Sequence, residues 1–210
     1  MCTAARYLIL AALLAALALP GSAAAVLNGP ITINGGNAYE QTQVRAALRI
    51  SAFDYTPVAA RVTVVIARNI PSSDASSNGV VNVDANLLDA GEFSWGTVQH
   101  EMAHEVDFLY FSDADRAQLF SALGGGSWWY TAPMLAHGDY GCERFASELS
   151  WAFWSDTQQN SMRPVGVRDE SNEMPLAAFR TLVNQLLAAD GYTRQLQHVP
   201  SPGQVTGFPG

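Results

Sequence analysis

The stretch QHEMAHEVDF, residues 99–108, limits what this chain can fold into more than any other segment. It holds two of the four histidines, His100 and His104, and a glutamate follows each. Side chains four residues apart share one side of the backbone only in a helix, where they lie about 40° apart around the axis. The run from Ser94 to about Phe111 is otherwise rich in apolar residues. It is therefore expected to be a helix capped at Ser94, and the fold has to pack around it while leaving one polar stripe reachable.

Residues 100–104 form the pattern H-E-x-x-H. On a helix both imidazoles can point at one ion, and Zn²⁺ suits paired imidazole ligands. Glu101 lies about 100° around the axis from His100, badly placed to ligate the same ion but able to reach water held there. In that position it would act as general base, taking a proton from the attacking water and passing it to a leaving amine. The plain alternative is a solvated surface helix.

A catalytic zinc site uses three protein ligands. The other histidines are His137, in a long loop, and His198, near the end. A compact three-histidine arrangement would need His at position 110 and Gly at 107, and the chain has Tyr110 and Asp107 there. A later carboxylate is the better candidate. CERFASE offers Glu143 and Glu148, which diverge by about 140° on a helix, so both cannot face the ion. Glu143 comes first, at the start of its helix beside the loop GGGSWWYTAPMLAHGDYG (Gly124–Gly141). Glu148 is next as ligand, or else supports the ligands from behind, and Asp139 follows.

HEMAHEVD followed by ERFASE resembles the gluzincin-type zinc metallopeptidases. It is most similar to the anthrax lethal factor-like group, with an HExxHxxD helix and a downstream E-x-F-A helix. The likeness spans about residues 80–155 and is one of motifs. It implies His100, His104 and Glu143 as zinc ligands and Glu101 as the base. Asp107 matches the Asp of that pattern and would orient His104 or tie down a neighbouring element. The chain departs from the group at position 147, which is Ser where an acidic residue is usual. The group also uses a Tyr or His to support the transition-state oxyanion, for which Tyr130, His137 and Tyr140 are available.

The first 25 residues have the build of a secretory signal peptide. Arg6 precedes an apolar run from Tyr7 to Leu19, then Pro20–Gly21 and small residues ending at Ala25. The run is shorter than the roughly 20 residues that a bilayer span needs. Cleavage would remove Cys2 and leave Cys142 alone, so no intramolecular disulfide can form, and stability must come from the core or a metal. The net charge is −8 and all eleven basic residues are Arg. Such a surface argues against nucleic acid and anionic membrane as partners, while a peptide or protein substrate is what the metallopeptidase resemblance implies.

The remaining elements outline one α+β domain over residues 26–195, a small mixed sheet followed by a helical half, with a disordered tail at 196–210. ITING (Ile31–Gly35), RVTVVIAR (Arg61–Arg68) and VVNVDANLL (Val80–Leu88) are expected strands. PSSDASSNG (Pro71–Gly79) is expected to be a loop. Asn37 would cap a helix reaching Phe53, with Pro57 closing that unit. Ser112 and Asp115 form a capping-box-like pair for the next helix. CERFASELSWAFW (Cys142–Trp154) and Met174–Asp190, ended by Gly191, are further helices. In the family resembled, the strand before the active-site helix often offers an open edge to extended peptide, a position that Val80–Leu88 would hold here. Cys142 is expected to be packed, as are Trp151 and Trp154.

Overall fold

A computed structural model of the chain describes residues 31–131, 133–154, 160–165, 170–189 and 192. The leader-like segment, the expected tail and His198 lie outside the described residues. So do Asp190 and Gly191, the expected end of the last helix. Among the described residues no helix is long and apolar enough to cross a membrane.

The fold is mixed α+β. Strands β1 (Thr32–Gly35), β2 (Thr63–Ala67), β3 (Asp74–Ser76) and β4 (Val80–Asp84) form one sheet in the order β1-β2-β4-β3. β1 pairs parallel with β2 and β2 with β4, and β3 closes the edge antiparallel to β4. Helices α1 (Ala38–Ile50), α2 (Thr56–Ala59), α3 (Ala85–Leu88), α4 (Trp95–Tyr110), α5 (Asp113–Leu123), α6 (Gly141–Ala152) and α7 (Leu176–Ala189) make up the rest. Two short 3₁₀ turns, Gly91–Ser94 and His137–Asp139, precede α4 and α6.

Local chemistry sets several of these boundaries. Asn37 accepts the Glu40 N–H at 3.0 Å, and Glu40 accepts the Asn37 N–H at 2.7 Å, so α1 begins in a full capping box. The same Glu40 carboxylate pairs with Arg68, just past β2, and thereby ties the helix to the sheet. Ser112 and Asp115 form the second capping box, at the start of α5.

Four expectations need correcting. α1 ends at Ile50, where Ser51 turns extended and the Ala52 N–H reaches the Phe153 carbonyl at 3.0 Å. Pro57 does not end a unit. It sits in the first turn of α2, where its missing N–H costs nothing. Ser94 precedes α4 without capping it, since its hydroxyl bonds back to the Gly91 carbonyl at 2.7 Å. The fourth is the polar loop at Pro71–Gly79, which contains β3. Edge strands pair on one side only and tolerate polar residues. Here Asp74 accepts from Asn82 across the pair at 2.7 Å. Because β4 is paired on both sides, the open edge beside α4 belongs to β3, β1 being the edge at the other end of the sheet, and VVNVDANLL breaks into β4 and then α3.

Val64, Ile66, Val81 and Val83 bury one face of the sheet, with Val64 beside Val81 and Ile66 beside Val83 in register. This face, α1 and α6 enclose α4, which is buried along nearly its whole length. Val98, Met102 and Val106 share one core cluster with Phe145 and Leu149 of α6. The Ser150 hydroxyl donates to the Gly96 carbonyl at 2.9 Å, and a Cβ on Gly96 would lie 2.1 Å from the Asn160 side-chain oxygen. Glycine is therefore required where that chain crosses α4.

Candidate metal centre

A helix buried on every side is normally apolar throughout. α4 instead buries His100, Glu101, His104, Glu105 and Asp107; burial pushes the Glu105 carboxyl up to about 7, towards the neutral form, and the others persist only with partners. α6 supplies several of them. Its first turn holds Glu143, favourably placed for a carboxylate against the helix dipole. The preceding loop is pinned to the same turn, because the Gly141 and Cys142 N–H groups donate to the Ser127 and Trp128 carbonyls at 2.7 and 3.2 Å.

Three ligand-type atoms meet at one point. His100 Nε2 lies 3.0 Å from Glu143 Oε2 and 3.1 Å from His104 Nε2, and His104 Nε2 lies 3.3 Å from Glu143 Oε2. Nitrogen and oxygen ligands at tetrahedral corners around Zn²⁺ stand roughly 3.3 Å apart, so this triangle has the size of such a site. The donor set also suits it, since two imidazoles and a carboxylate are the His₂Glu type. Glu101 completes the group, with a carboxylate oxygen within 4.8 Å of the ligand atoms of both histidines.

Burial raises the Glu101 carboxyl, and the two histidine charges oppose this only in part. Burial also works against ionised Glu143, but hydrogen bonds from His100, His104 and His137 hold its carboxyl well below the usual range. His104 is raised on balance: burial disfavours its charged form, and the Glu143 hydrogen bond and charge overcome that.

Behind the triangle lies a layer that the spacing of residues 99–108 does not reveal. His100 Nδ1 is 3.0 Å from Ser147 Oγ, and Ser147 donates to Glu170 Oε1 at 2.9 Å. Glu170 Oε2 lies 3.0 Å from His137 Nδ1, and His137 Nε2 lies 3.1 Å from Glu143 Oε2. The Glu143 and Glu170 hydrogen bonds raise the His137 imidazole to about 10. Ser147 sits one turn below Glu143 on α6, a spacing that points it to the same side. Glu170 carries no local signal, since only the fold brings its segment to α6.

The other expected residues lie as follows. Asp107 is buried and takes Arg116 Nε–H at 2.7 Å and Trp128 Nε1–H at 3.0 Å, which ties α5 and the aromatic loop to α4. Glu148 is not brought to the histidines; it is buried and accepts the Glu173 and Met174 N–H groups at 3.0 and 3.3 Å. Asp139 is largely exposed and faces Arg144 at 3.6 Å. Tyr130 donates to Glu143 Oε1 at 2.8 Å, whereas the Tyr140 hydroxyl is buried and accepts the Leu135 N–H at 2.8 Å. Cys142 is packed, and burial beside Glu143 pushes its thiol up, away from the thiolate. Trp154 is buried against Trp95 and Trp151 is half-buried.

The centre opens to a cleft of about 390 Å³. One wall is β3 and the residues before it, Ser72–Ala75, and the other is Phe108, Trp129 and Tyr130. Phe108 and Trp129 stack at 5.4 Å, and the Arg116 guanidinium lies 5.1 Å over the Trp129 ring. No family model matches the chain, and neither does any curated protein or solved structure.

Proposed function

We propose that the protein is a secreted zinc metalloendopeptidase with a zincin-like domain of the gluzincin kind. The observation carrying this reading is the triangle of His100 Nε2, His104 Nε2 and Glu143 Oε2, with edges of 3.0, 3.1 and 3.3 Å, beside Glu101 in an open cleft. These three residues would hold Zn²⁺. The ion supplies Lewis-acid polarisation of the scissile carbonyl and makes water nucleophilic near neutral pH. Glu101 takes the proton of the attacking water and delivers it to the leaving amine. Tyr130 aims its hydroxyl at the same centre and supports the oxyanion. The extended substrate lies along the free edge of β3, with backbone hydrogen bonds supplying affinity and the aromatic wall selecting side chains.

One observation favours a second reading, an exported zinc-binding module without turnover. His137 Nε2 stands 3.1 Å from Glu143 Oε2, near enough for a fourth ligand that would leave no open position. Elemental analysis and casein hydrolysis separate the two. The enzyme binds about one zinc per chain and hydrolyses casein, and Glu101→Gln keeps the zinc but loses the hydrolysis. Hydrolysis that survives Glu101→Gln removes the base from the scheme. A zinc-loaded wild type without hydrolysis supports the module.

A further inference from the structure

We infer that Ser147 and Glu170 form a hydrogen-bond relay that sets the ring state of His100 for metal binding. The inference rests on the metal-centre reading above. A neutral imidazole carries one proton, on either nitrogen, and can ligate only through the other. His100 turns Nε2 towards the centre and Nδ1 towards Ser147 Oγ at 3.0 Å. A serine hydroxyl has one proton and can accept as well as donate, so the contact alone does not say where the ring proton sits.

Glu170 sets the direction. Its two carboxylate oxygens meet Ser147 Oγ at 2.9 Å and His137 Nδ1 at 3.0 Å. A carboxylate only accepts, so at 2.9 Å it takes the Ser147 proton. The Met162 thioether, 3.6 Å from the same hydroxyl, is a much weaker competitor. Ser147 Oγ then has only lone pairs left for His100, and Nδ1 must carry the ring proton. With an ion at the centre, Nε2 gives up its hydrogen bond to Glu143 and is left bare, aimed between His104 and Glu143. Ser147 is fully buried, so water does not compete for this bond.

The arrangement makes α6 serve the centre twice, with Glu143 as ligand and, one turn on, Ser147 behind His100. Glu170 is a positioning residue shared by two imidazoles, because its second oxygen meets His137 Nδ1 at 3.0 Å. Outer partners of this type typically govern metal affinity by about 10–100-fold.

The test measures zinc affinity of the full chain by competition with a chromophoric chelator at fixed pH and salt. Ser147→Ala and Glu170→Leu should each weaken binding about 10–100-fold. Because both act through one relay, the double variant should lose no more than the worse single variant. In the zinc-loaded protein, the His100 Nδ1–H proton signal should exchange slowly in the wild type and be lost in Ser147→Ala. A merely structural role would move neither the double-variant result nor this signal. Affinities within twofold of wild type, or losses that multiply in the double variant, overturn the relay. Should Ser147→Ala not fold, Glu170→Leu carries the affinity test alone, since that side chain is 26% exposed. A wild type that binds no zinc overturns the metal centre and the relay together, whereas tight wild-type binding with unaltered variants overturns the relay only.

Discussion

Asp107→Asn tests the link between the centre and its surroundings. The native carboxylate is fully buried and receives Arg116 Nε–H at 2.7 Å and Trp128 Nε1–H at 3.0 Å. An asparagine of the same shape offers one oxygen and one NH₂, so one of the two donors meets a donor. Losing a charge-assisted bond costs about 1.5–3 kcal/mol, and stranding a buried donor costs about 1–3 kcal/mol more. Breaking a buried pair from one side costs about 3–5 kcal/mol. Burial already raises the Asp107 carboxyl against the opposing Arg116 charge, which shows that desolvation consumes part of the native gain. The low end, about 3 kcal/mol, therefore applies. For a chain of this size it lowers Tm by roughly 6–12 °C. Urea unfolding of the metal-free protein measures it. Arg116→Met supplies a second arm: it leaves the carboxylate without its cation, so the folded pKa moves further above the unfolded value of about 3.9. Folding then takes up protons, and the cost of Arg116→Met must grow as pH rises from 5 to 8. A loss under about 1 kcal/mol for Asp107→Asn, or an Arg116→Met cost that does not vary with pH, refutes the reasoning.

Three other outcomes are expected. Glu148 is raised by burial to about 7, which the Glu173 and Met174 N–H groups offset only partly. Its contribution is full below the unfolded pKa and is lost as pH rises through 7, so this carboxyl should take roughly 2.5 kcal/mol from metal-free stability between pH 5 and 8, and Glu148→Gln should make that slope shallower by the same amount in urea unfolding. Gly96→Ala places a Cβ 2.1 Å from the Asn160 side-chain oxygen and 2.8 Å from Ser161 Oγ, so thermal unfolding should show a loss of about 1–3 kcal/mol. Tyr130→Phe removes a hydroxyl 2.8 Å from Glu143 and should lower kcat on a fluorogenic peptide, measured at saturating zinc, by about 10²–10³.

Signals that act within one or two helical turns were legible in the chain. Asn37 as a cap and Ser112 with Asp115 as a capping-box pair were readable from spacing, and both start helices in the structure, where Glu40 completes the first box. His100, Glu101 and His104 share one stripe because of the helix period. Glu143 stood among three carboxylates in the sequence, and it is the one whose oxygen reaches both imidazoles. β3 was hidden because its three residues are polar or small and gain their conformation from β4. Pro57 looked like a stop because the chain does not say on which side of a helix start a proline falls. Ser147 was readable as the residue one turn after Glu143, but a serine has many uses. Glu170 was beyond reach, since its partners Ser147 and His137 lie 23 and 33 residues away.

The amino-acid order by itself determined much of the local geometry: the caps at Asn37 and Ser112, the alternation of β2 and β4, and the two imidazoles that face the same way, since each depends on short backbone periods. The tertiary structure alone decided which carboxylate meets those imidazoles, which strand keeps a free edge, and which groups fix the ring of His100. Those choices rest on contacts between segments far apart in the chain. Their strength comes from burying charge and polar groups together, a condition that exists only once the sheet, α4 and α6 have closed on one another.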